Sequence, residues 1–492
     1  MTPPPGLGTW TARRARNSPE RVALVAGPTR VTYAELDDRV RRLAAGLRGL
    51  GVGPGDRVAH LGPNHPAFVE TLFATTGLGA VFVPLNTRLA PAEIAFALGD
   101  TSPRVVVAHP GGSGASSLPL DDSNDAPLSL EVGGSYDTLI DGSDRADLVD
   151  SDPDALAVLM FTSGTTGRPK AACLTHANLT WNALNVVVDI DLRSDEVCLL
   201  SAPLFHAAAL GMTCLPVLLK GGTLVLEPAF DVDRTLDLVE SERVTIMFGV
   251  PTMFATIARS PRFADADLSS VRYLLCGGAP VPPALLDVYA ARGPAFLQGY
   301  GMTEAAPGVL LLDPAHARSK VGTAGRPHFF SDVALSEVGE ILVRGPHVVP
   351  GYWQRPEESA AAFDDGWFRS GDVATVDDDG FHRIVDRVKD LYISGGENVS
   401  PAEVEGVLTG HPEVVDAAVV GVPDDRWGEV GHAWVVLAAG STTTPADLLA
   451  WLDGRLARFK TPRTVEVVDA LPRNPTGKLD KPALRRSLSP GQ

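Results

Sequence analysis

The sequence is short of positive charge and of long apolar runs. Lys and Arg total 42 against 60 Asp and Glu, so the formal net charge of the 492 residues is −18. Because nucleic-acid-binding proteins usually carry a basic surface, this balance argues against nucleic acid as a partner. No stretch reaches about 18 consecutive apolar residues, so no membrane span is predicted. The first residues lack a basic segment followed by an apolar one, so no signal peptide is predicted.

Cysteine and lysine are also scarce. The four cysteines, Cys173, Cys198, Cys214 and Cys276, contain no C-x-x-C pair. Free buried thiols in a cytoplasmic protein are therefore expected. Only seven of the 42 basic residues are Lys. A Lys inside a glycine-rich or polar loop is thus informative, because its compact, mobile ammonium suits such a position better than the guanidinium used elsewhere.

The chain has the patterning of an α/β protein with more than one domain. Its hydrophobic fraction of 45% and charged fraction of 21% are those of an ordinary globular protein. Short apolar runs alternate with helical patterns; the runs are at 81–83, 156–161, 223–226, 244–248 and 273–276. This alternation predicts a layered α/β fold with mostly parallel sheets.

One helix can be predicted closely. Thr32 and Glu35 have the spacing of a capping box. Apolar residues then recur at steps of three and four, as one helical face requires; they are Leu36, Val40, Leu43, Leu47 and Leu50. The glycines of 51–55 end this helix in a turn and lack the spacing of a dinucleotide-binding loop.

A domain boundary is predicted near residue 389. Residues 386–401 bring a charged stretch, a glycine pair and a proline, and an α+β pattern of about 100 residues follows. We predict a large N-terminal α/β domain, 1–388, and a small α+β C-terminal domain, 389–492. Residues 111–150 are rich in Gly, Ser and Asp, and are expected to form a surface connection.

The strongest chemical signal is the segment 161–170, Phe-Thr-Ser-Gly-Thr-Thr-Gly-Arg-Pro-Lys. An apolar strand leads into six small residues, and Lys170 closes the loop. Small residues let backbone N–H groups approach phosphate oxygens, while hydroxyls and an ammonium add donors and charge. The spacing does not fit a Walker loop. The pattern predicts a phosphate-binding loop rather than a flexible polar turn.

Four weaker motifs follow in order. Segment 298–304, Gln-Gly-Tyr-Gly-Met-Thr-Glu, offers an aromatic ring for a planar base, with a hydroxyl and a carboxylate for a phosphate and its magnesium. Further on, Asp372 and Arg387 could bind a ribose diol, although a surface ion-pair network would look the same. Segments 394–398, Ser-Gly-Gly-Glu-Asn, and 472–478, Pro-Arg-Asn-Pro-Thr-Gly-Lys, are the last two.

Together these five motifs resemble the adenylate-forming (ANL) superfamily of acyl-CoA synthetases, firefly-type luciferases and peptide-synthetase adenylation domains. The resemblance runs from about residue 10 to about residue 485. It is nearest to bacterial fatty-acyl-CoA synthetases, through segments 203–206, 277–280, 395–398 and 475–478. It implies ATP-dependent conversion of an acid to acyl-AMP with release of pyrophosphate, then transfer to CoA.

The resemblance also implies residue roles. ATP and AMP would be held by Thr162, Ser163, Gly164, Thr165, Thr166, Gly167, Lys170, Gly278, Ala279, Pro280, Tyr300, Gly301, Asp372 and Arg387. The catalytic residues would be Lys478, Thr303, Glu304 and His206. The acid pocket would contain Phe205, His206, Gly277, Ala305 and Ala306. Glu304, with Thr162, would bind Mg²⁺. Lys389 would be the hinge of a mobile C-terminal domain, and Gly395 and Gly396 would border the thiol channel.

Departures and alternatives remain. Ala171 stands where the family usually has Gly, and Ser370 where Thr is commoner. A secondary-metabolism ligase is one alternative; it would use another acid or acceptor, such as a carrier protein, or adenylate nitrite for an aryl amine. A non-catalytic nucleotide-binding protein is disfavoured by the intact Lys478, Glu304 and Asp372. A homodimer is left open.

The acid itself is only broadly predicted. No Arg or Lys lies in 205–206, 277–278 or 305–308, so nothing there would bind a second carboxylate. We expect a monocarboxylate with an apolar body, a fatty acid first and an aromatic acid second.

Overall fold

The computed structural model describes residues 6–110, 127–162, 169–278, 281–387, 390–394, 397–424, 427–453, 455–456, 458–474 and 477–488. The chain forms two compact units. Unit 1 consists of Met1–Val333, Val343–Phe368 and Asp378–His382. Unit 2 consists of Ala334–Leu342, Arg369–Asp377 and Arg383–Gln492.

The described helices, in chain order, are α1 (Trp10–Asn17), α2 (Tyr33–Gly49), α3 (Pro66–Gly77), α4 (Pro91–Thr101), α5 (Ser135–Asp141), α6 (His176–Asp189), α7 (Ala207–Ala209), α8 (Leu215–Lys220), α9 (Val232–Ser241), α10 (Pro251–Arg259), α11 (Pro283–Ala290), α12 (Pro356–Ala361), α13 (Pro401–Thr409), α14 (Pro445–Leu452) and α15 (Lys481–Ser487). A π-helical turn, Leu210–Cys214, joins α7 to α8.

The described strands are β1 (Val22–Ala26), β2 (Thr29–Thr32), β3 (Arg57–Leu61), β4 (Val81–Leu85), β5 (Val105–Ala108), β6 (Leu128–Glu131), β7 (Leu156–Thr162), β8 (Lys170–Thr175), β9 (Val197–Leu200), β10 (Thr223–Leu226), β11 (Ile246–Gly249), β12 (Tyr273–Cys276), β13 (Ala295–Gly301), β14 (Gly308–Leu311), β15 (Arg326–Pro327), β16 (Asp332–Leu335), β17 (Glu340–Arg344), β18 (Phe363–Asp364), β19 (Trp367–Val376), β20 (His382–Arg387), β21 (Tyr392–Ser394), β22 (Glu397–Val399), β23 (Val414–Asp424), β24 (Gly428–Leu437) and β25 (Thr464–Val467).

Two sheets of unit 1 confirm the predicted α/β class. The first has the order β15-β14-β13-β12-β11-β9-β10-β1-β2, and its neighbours from β13 to β1 are all parallel. The second has the order β6-β5-β3-β4-β7-β8, with only the β7–β8 pair antiparallel among its described neighbours. In parallel sheets ligands bind at the carboxyl ends of strands, and most of the predicted site residues of unit 1 lie at such ends.

The predicted helix is confirmed as α2. The Thr32 side chain accepts the N–H of Glu35, and the Glu35 carboxylate accepts the N–H of Thr32 at 2.8 Å. Its apolar face packs into the core of unit 1, where Leu36, Val40, Leu43 and Leu47 are all fully buried. The helix ends at Gly49, just before the predicted glycine turn.

The prediction that 111–150 is only a surface connection was wrong for its second half. Leu128–Glu131 pairs in parallel with β5 as an edge strand. Ser135–Asp141 is helical and buries Tyr136 and Ile140. Both elements are too short for their periodicity to stand out among polar residues. Residues 111–126 lie outside the described residues.

Unit 2 has the α+β pattern predicted for the C-terminal part of the chain. Strands β22, β21, β24 and β23 form its sheet in that order, and β25 pairs with β24. The helices α13 and α14 pack on this sheet through a core that includes Tyr392, Val404 and Leu448. No helix in the described part of either unit is long and apolar enough to cross a membrane.

Candidate active site

The base of the predicted phosphate loop is formed by an antiparallel strand pair. Thr162, at the end of β7, lies opposite Lys170, the first residue of β8. Five of the predicted loop residues, Ser163 to Gly167, lie outside the described residues. The two that are described therefore stand side by side where the loop leaves and rejoins the sheet.

Lys170 is surrounded by groups that sequence reasoning did not single out. Its side chain is only 13% exposed. The ammonium lies 5.2 Å from the centre of the Tyr352 ring. It also lies 3.8 Å from the Glu358 carboxylate. An aromatic face and a carboxylate both attract a cation, so the position of Lys170 is set by side chains from the segment 352–358.

The predicted magnesium carboxylate is bound by the same tyrosine. The Tyr352 hydroxyl donates a 2.9 Å hydrogen bond to Oε1 of Glu304. The backbone of Glu304 is also anchored, since its carbonyl accepts the N–H of Val349 at 2.9 Å. Burial, and then the neighbouring Glu304 carboxylate, raises the pKa of Tyr352 well above its ordinary value. The hydroxyl is therefore a stable donor at neutral pH.

Thr303 and Glu304 lie in a tight turn after β13. This 3-10 turn, Thr303–Ala305, follows the strand that carries Tyr300 and Gly301. Gly301 pairs with Gly308 across the turn, and a Cβ at Gly301 would collide with the carbonyl oxygen of Pro307. Glycine is therefore required for the turn to close. The structure thus brings together Tyr300, Gly301, Thr303 and Glu304 on one short segment.

Two of the predicted acid-pocket elements meet at a second glycine. A Cβ at Gly211, in the π-helical turn after His206, would collide with the backbone of Ala306 and the ring of Pro307. Gly211 therefore allows direct backbone packing between this turn and the segment that follows Glu304. Phe205 and His206 precede it with their rings 4.8 Å apart in an edge-to-face arrangement. Phe205, Ala305 and Ala306 are buried.

Asn182 joins these two walls and was missed by sequence reasoning. It is fully buried on α6. Its Nδ2 donates to the carbonyl of Gly211 at 2.8 Å, and its Oδ1 accepts the N–H of Gly308 at 2.9 Å. Buried asparagines at positions 178, 182 and 185 share one face of α6. Polar residues at helical spacing inside an apolar pattern are the signal that could have identified them.

The predicted adenine segment is partly described. Gly277 and Gly278 follow the carboxyl end of β12, next to Gly299 on β13. Gly278 has φ = +86°, a conformation that favours glycine. Ala279 and Pro280 lie outside the described residues. The small residues of adjacent strands therefore line the same edge of the nine-stranded sheet as Tyr300.

The predicted ribose residues belong to unit 2. Asp372 lies on β19, and its N–H donates to the Ser370 hydroxyl at 3.0 Å. The preceding N–H of Gly371 donates to Glu340 at 3.0 Å. The side chain of Arg387 is not among those that the structure describes. In the same motif, Asp386 binds the N-terminal end of α13 by accepting the Ser400 hydroxyl at 2.6 Å.

The two ends of the loop that carries Lys478 are hydrogen-bonded to each other within unit 2. The N–H of Lys478 donates to Oδ1 of Asn474 at 3.0 Å, and its carbonyl accepts the N–H of Asn474 at 2.8 Å. Arg473 donates to the carbonyl of Gly477 at 3.1 Å and pairs with Asp416 on β23. The predicted hinge Lys389 and the channel residues Gly395 and Gly396 lie outside the described residues.

The chain matches known proteins along its length. It matches the family described as AMP-binding enzyme over residues 11–353 and that described as AMP-binding enzyme C-terminal domain over residues 403–478. It is 55% identical to a feruloyl-CoA synthase from Amycolatopsis sp, covering 98% of this chain and 99% of that protein. It is 39% identical to a long-chain-fatty-acid–CoA ligase from Mycobacterium tuberculosis, covering 98% of both.

Solved structures are similar as well. The o-succinylbenzoate CoA synthetase from Bacillus subtilis, in complex with its acyl-adenylate intermediate, superposes with a TM-score of 0.87 at 33% identity, covering 100% of this chain and 99% of that one. The same enzyme in complex with ATP and a magnesium ion gives a TM-score of 0.85 at 33% identity, covering 98% and 99%. These relatives are all CoA ligases, which disfavours the nitrite-adenylating alternative.

Proposed function

The chain belongs to the AMP-binding enzyme family and is an ATP-dependent acyl-CoA synthetase that works through an acyl-adenylate, and on this premise we propose that its acid is a hydroxycinnamate of the ferulate type. The observation that carries this proposal is the 55% identity to feruloyl-CoA synthase over nearly the whole of both chains. The fatty-acid ligase reaches only 39% over the same span.

An aromatic side chain in the proposed acid pocket supports an aromatic acid. Gly211 packs directly on the carbonyl of Ala306 and the ring of Pro307, which brings the segment after His206 against the segment after Glu304. Phe205 offers an aromatic ring beside His206, and aromatic rings pack well edge-to-face against one another. The Phe205 ring would stack against the aromatic ring of a hydroxycinnamate, a contact that an alkyl chain does not make.

In the first step, a carboxylate oxygen of the acid attacks the α-phosphorus of ATP and pyrophosphate leaves. Residues 162–167 and Lys170 would hold the β- and γ-phosphates, and Thr303 would contact the α-phosphate. Lys478 would lie between the carboxylate and the α-phosphate, where negative charge accumulates in the transition state. The described environment of Lys170 supports the first of these roles, because the Tyr352 ring and the Glu358 carboxylate hold the ammonium next to the base of the loop.

Separate residues would hold the nucleotide base and the ribose. Tyr300 would stack on adenine, with Gly278, Ala279 and Pro280 on the same edge and Gly301 allowing close approach. Asp372 and Arg387 would bind the ribose hydroxyls. In the second step the thiol of CoA attacks the acyl carbon and AMP leaves. We propose that the C-terminal domain, 389–492, turns about Lys389 between the two steps, exchanging Lys478 for Gly395 and Gly396 beside the thiol.

Magnesium fits the residues present. Mg²⁺ prefers oxygen ligands and is usually held by one or two carboxylates together with substrate phosphates. Glu304, on its anchored turn, supplies such a carboxylate, and Thr162 supplies a hydroxyl at the base of the phosphate loop. When bound, the ion would neutralise phosphate charge during the attack on ATP. Glu304 and Thr162 would hold it.

The proposal is tested by a panel of acids. The enzyme is incubated with ATP, magnesium chloride and one acid at a time, and pyrophosphate release is measured with and without CoA. The panel contains ferulate, the same acid with a saturated side chain, benzoate, and straight-chain fatty acids. We expect ferulate to give the highest kcat/KM for pyrophosphate release in the presence of CoA. Activity that rises with alkyl chain length and exceeds that with ferulate would replace this proposal with the fatty-acid alternative.

A further inference from the structure

Tyr352 contacts two oppositely charged groups of the proposed ATP site with different parts of its side chain. Its ring lies under the ammonium of Lys170, with 5.2 Å between the nitrogen and the ring centre. Its hydroxyl donates to Oε1 of Glu304 at 2.9 Å. Lys170 and Glu304 are far apart in the chain, and both contact this one side chain.

The backbone of Tyr352 is fixed to the strand that begins at Lys170. Tyr352 forms an antiparallel bridge with Ala172 on β8. On either side of it, the N–H of Trp353 donates to the carbonyl of Ala171 at 2.8 Å, and the carbonyl of Gly351 accepts the N–H of Cys173 at 3.0 Å. This backbone pairing fixes the position of the Tyr352 ring relative to Lys170.

The same segment is fixed to the turn that carries Glu304. The N–H of Val349 donates to the carbonyl of Glu304 at 2.9 Å. The N–H of Tyr352 itself donates to the hydroxyl of Ser359, on helix α12, at 2.8 Å. The chain between Val349 and Trp353 therefore spans from the Glu304 turn to the phosphate-loop strand, with Tyr352 between them.

We propose that Tyr352 is a positioning residue that holds Lys170 and Glu304 in register, so that the ammonium and the magnesium carboxylate bind one ATP molecule together. The inference rests on the roles assigned to Lys170 and Glu304 in the proposed function. A hydroxyl-to-carboxylate bond fixes the rotamer of Glu304. The ring face restricts the ammonium without neutralising it, which leaves its charge for a phosphate.

The hydroxyl is separable from the ring by substitution. Tyr352→Phe keeps the ring under Lys170 and removes only the bond to Glu304. Tyr136→Phe is a matched control, because the Tyr136 hydroxyl also donates to a carboxylate, Oε2 of Glu70, at 2.8 Å elsewhere in unit 1. Each variant loses one tyrosine–carboxylate hydrogen bond, and thermal unfolding compares their stabilities.

ATP binding is measured by calorimetry without acid or CoA, in the presence and absence of magnesium chloride. We expect Tyr352→Phe to weaken ATP binding about tenfold with magnesium, since a hydrogen bond to a charged group is lost, and less than about twofold without it. Tyr136→Phe is expected to lower stability to a similar degree while leaving both affinities unchanged. Equal effects of the two variants on affinity would overturn the proposal.

Glu304→Gln separates this inference from the proposed function. If Glu304 has its proposed role, Glu304→Gln alone weakens magnesium-dependent ATP binding, and adding Tyr352→Phe weakens it no further. If Glu304→Gln leaves that binding unchanged, the assignment of Glu304 fails, and the coupling argued for Tyr352 fails with it. If the two substitutions weaken binding additively, Glu304 keeps its role and the positioning role of Tyr352 is rejected.

Discussion

Asn182 accepts the backbone N–H of Gly308 in a 2.9 Å hydrogen bond that joins helix α6 to the strand after the Glu304 turn. The same side chain donates to the carbonyl of Gly211 at 2.8 Å. One buried amide therefore satisfies two backbone groups on two separate segments of the proposed acid pocket. Buried backbone groups left without partners are costly.

Asn182→Ala is expected to destabilise the protein and to impair acid binding. Losing both hydrogen bonds should lower the free energy of unfolding by about 2 kcal/mol or more, and the KM for the acid should rise. Asn185→Ala is the matched control, because the buried Asn185 accepts the N–H of Phe330 at 2.7 Å from the same helix. Chemical denaturation and steady-state kinetics separate the effects. An unchanged KM for the acid in Asn182→Ala would reject the role of Asn182 in the pocket.

Lys478→Ala is expected to affect one half-reaction. Adenylation should fall by at least about a hundredfold, or about 2.7 kcal/mol of barrier, because the ammonium would act where charge accumulates on the α-phosphate. Thioester formation from supplied acyl-AMP should be largely spared. Lys460→Ala is the control, since Lys460 is engaged in an ion pair with Glu403 at 2.7 Å in the same unit. The two half-reactions are assayed separately, and equal losses in both contradict the assignment.

Glu358→Gln is expected to tighten ATP binding. The Glu358 carboxylate lies 3.8 Å from the Lys170 ammonium and would compete with phosphate for it. Because Glu358 is 41% exposed, the gain should be modest, up to about fivefold in the dissociation constant for ATP. ATP binding is measured by calorimetric titration. Glu357→Gln, a change at the neighbouring exposed residue, is the control. Weaker ATP binding in Glu358→Gln would contradict this prediction and show that the positioning of Lys170 by Glu358 outweighs its competition with phosphate.

Acid is expected to destabilise the N-terminal part of unit 1 through His176. The buried Nδ1 of His176 accepts the N–H of Leu7 at 3.0 Å, which requires an unprotonated nitrogen. Burial lowers the pKa of His176 from 6.5 to about 4. The unfolded state therefore binds the proton more readily, so this stability is complete above about pH 6.5 and is lost as pH falls toward 4.

The size of the acid effect follows from that pKa shift. It should reach about 3 kcal/mol for His176 at the acid end of the window. Burial also lowers the pKa of His109 to about 4 and that of His60 well below 6.5, so these add to the loss with the same sign. Chemical denaturation from pH 7 to pH 4 measures it. His176→Gln should flatten the pH dependence; an equally steep dependence in this variant would contradict the assignment to His176.

The local elements of the fold were predictable, and the contacts around the site were not. The Thr32–Glu35 capping box and the strand 223–226 appear at the predicted positions because short-range hydrogen bonding and burial determine them. The segment 127–141 was missed because its strand and helix are short and largely polar. Tyr352 acts on segments far away in the chain, so nothing local to it indicated its role. The spacing of Asn182 with Asn178 and Asn185 marks a buried polar face of α6, but it does not indicate which backbone groups Asn182 binds.

The central claim is that this acyl-CoA synthetase selects a hydroxycinnamate. Its most direct test is a competition in one reaction, with ferulate and a long-chain fatty acid at equal concentration, ATP, magnesium and limiting CoA. The two CoA thioesters are quantified by mass spectrometry during the initial phase, when their ratio equals the ratio of kcat/KM values. We predict that feruloyl-CoA exceeds the fatty-acyl-CoA by more than about tenfold, a difference of about 1.4 kcal/mol. A product that is mainly fatty-acyl-CoA would contradict the claim.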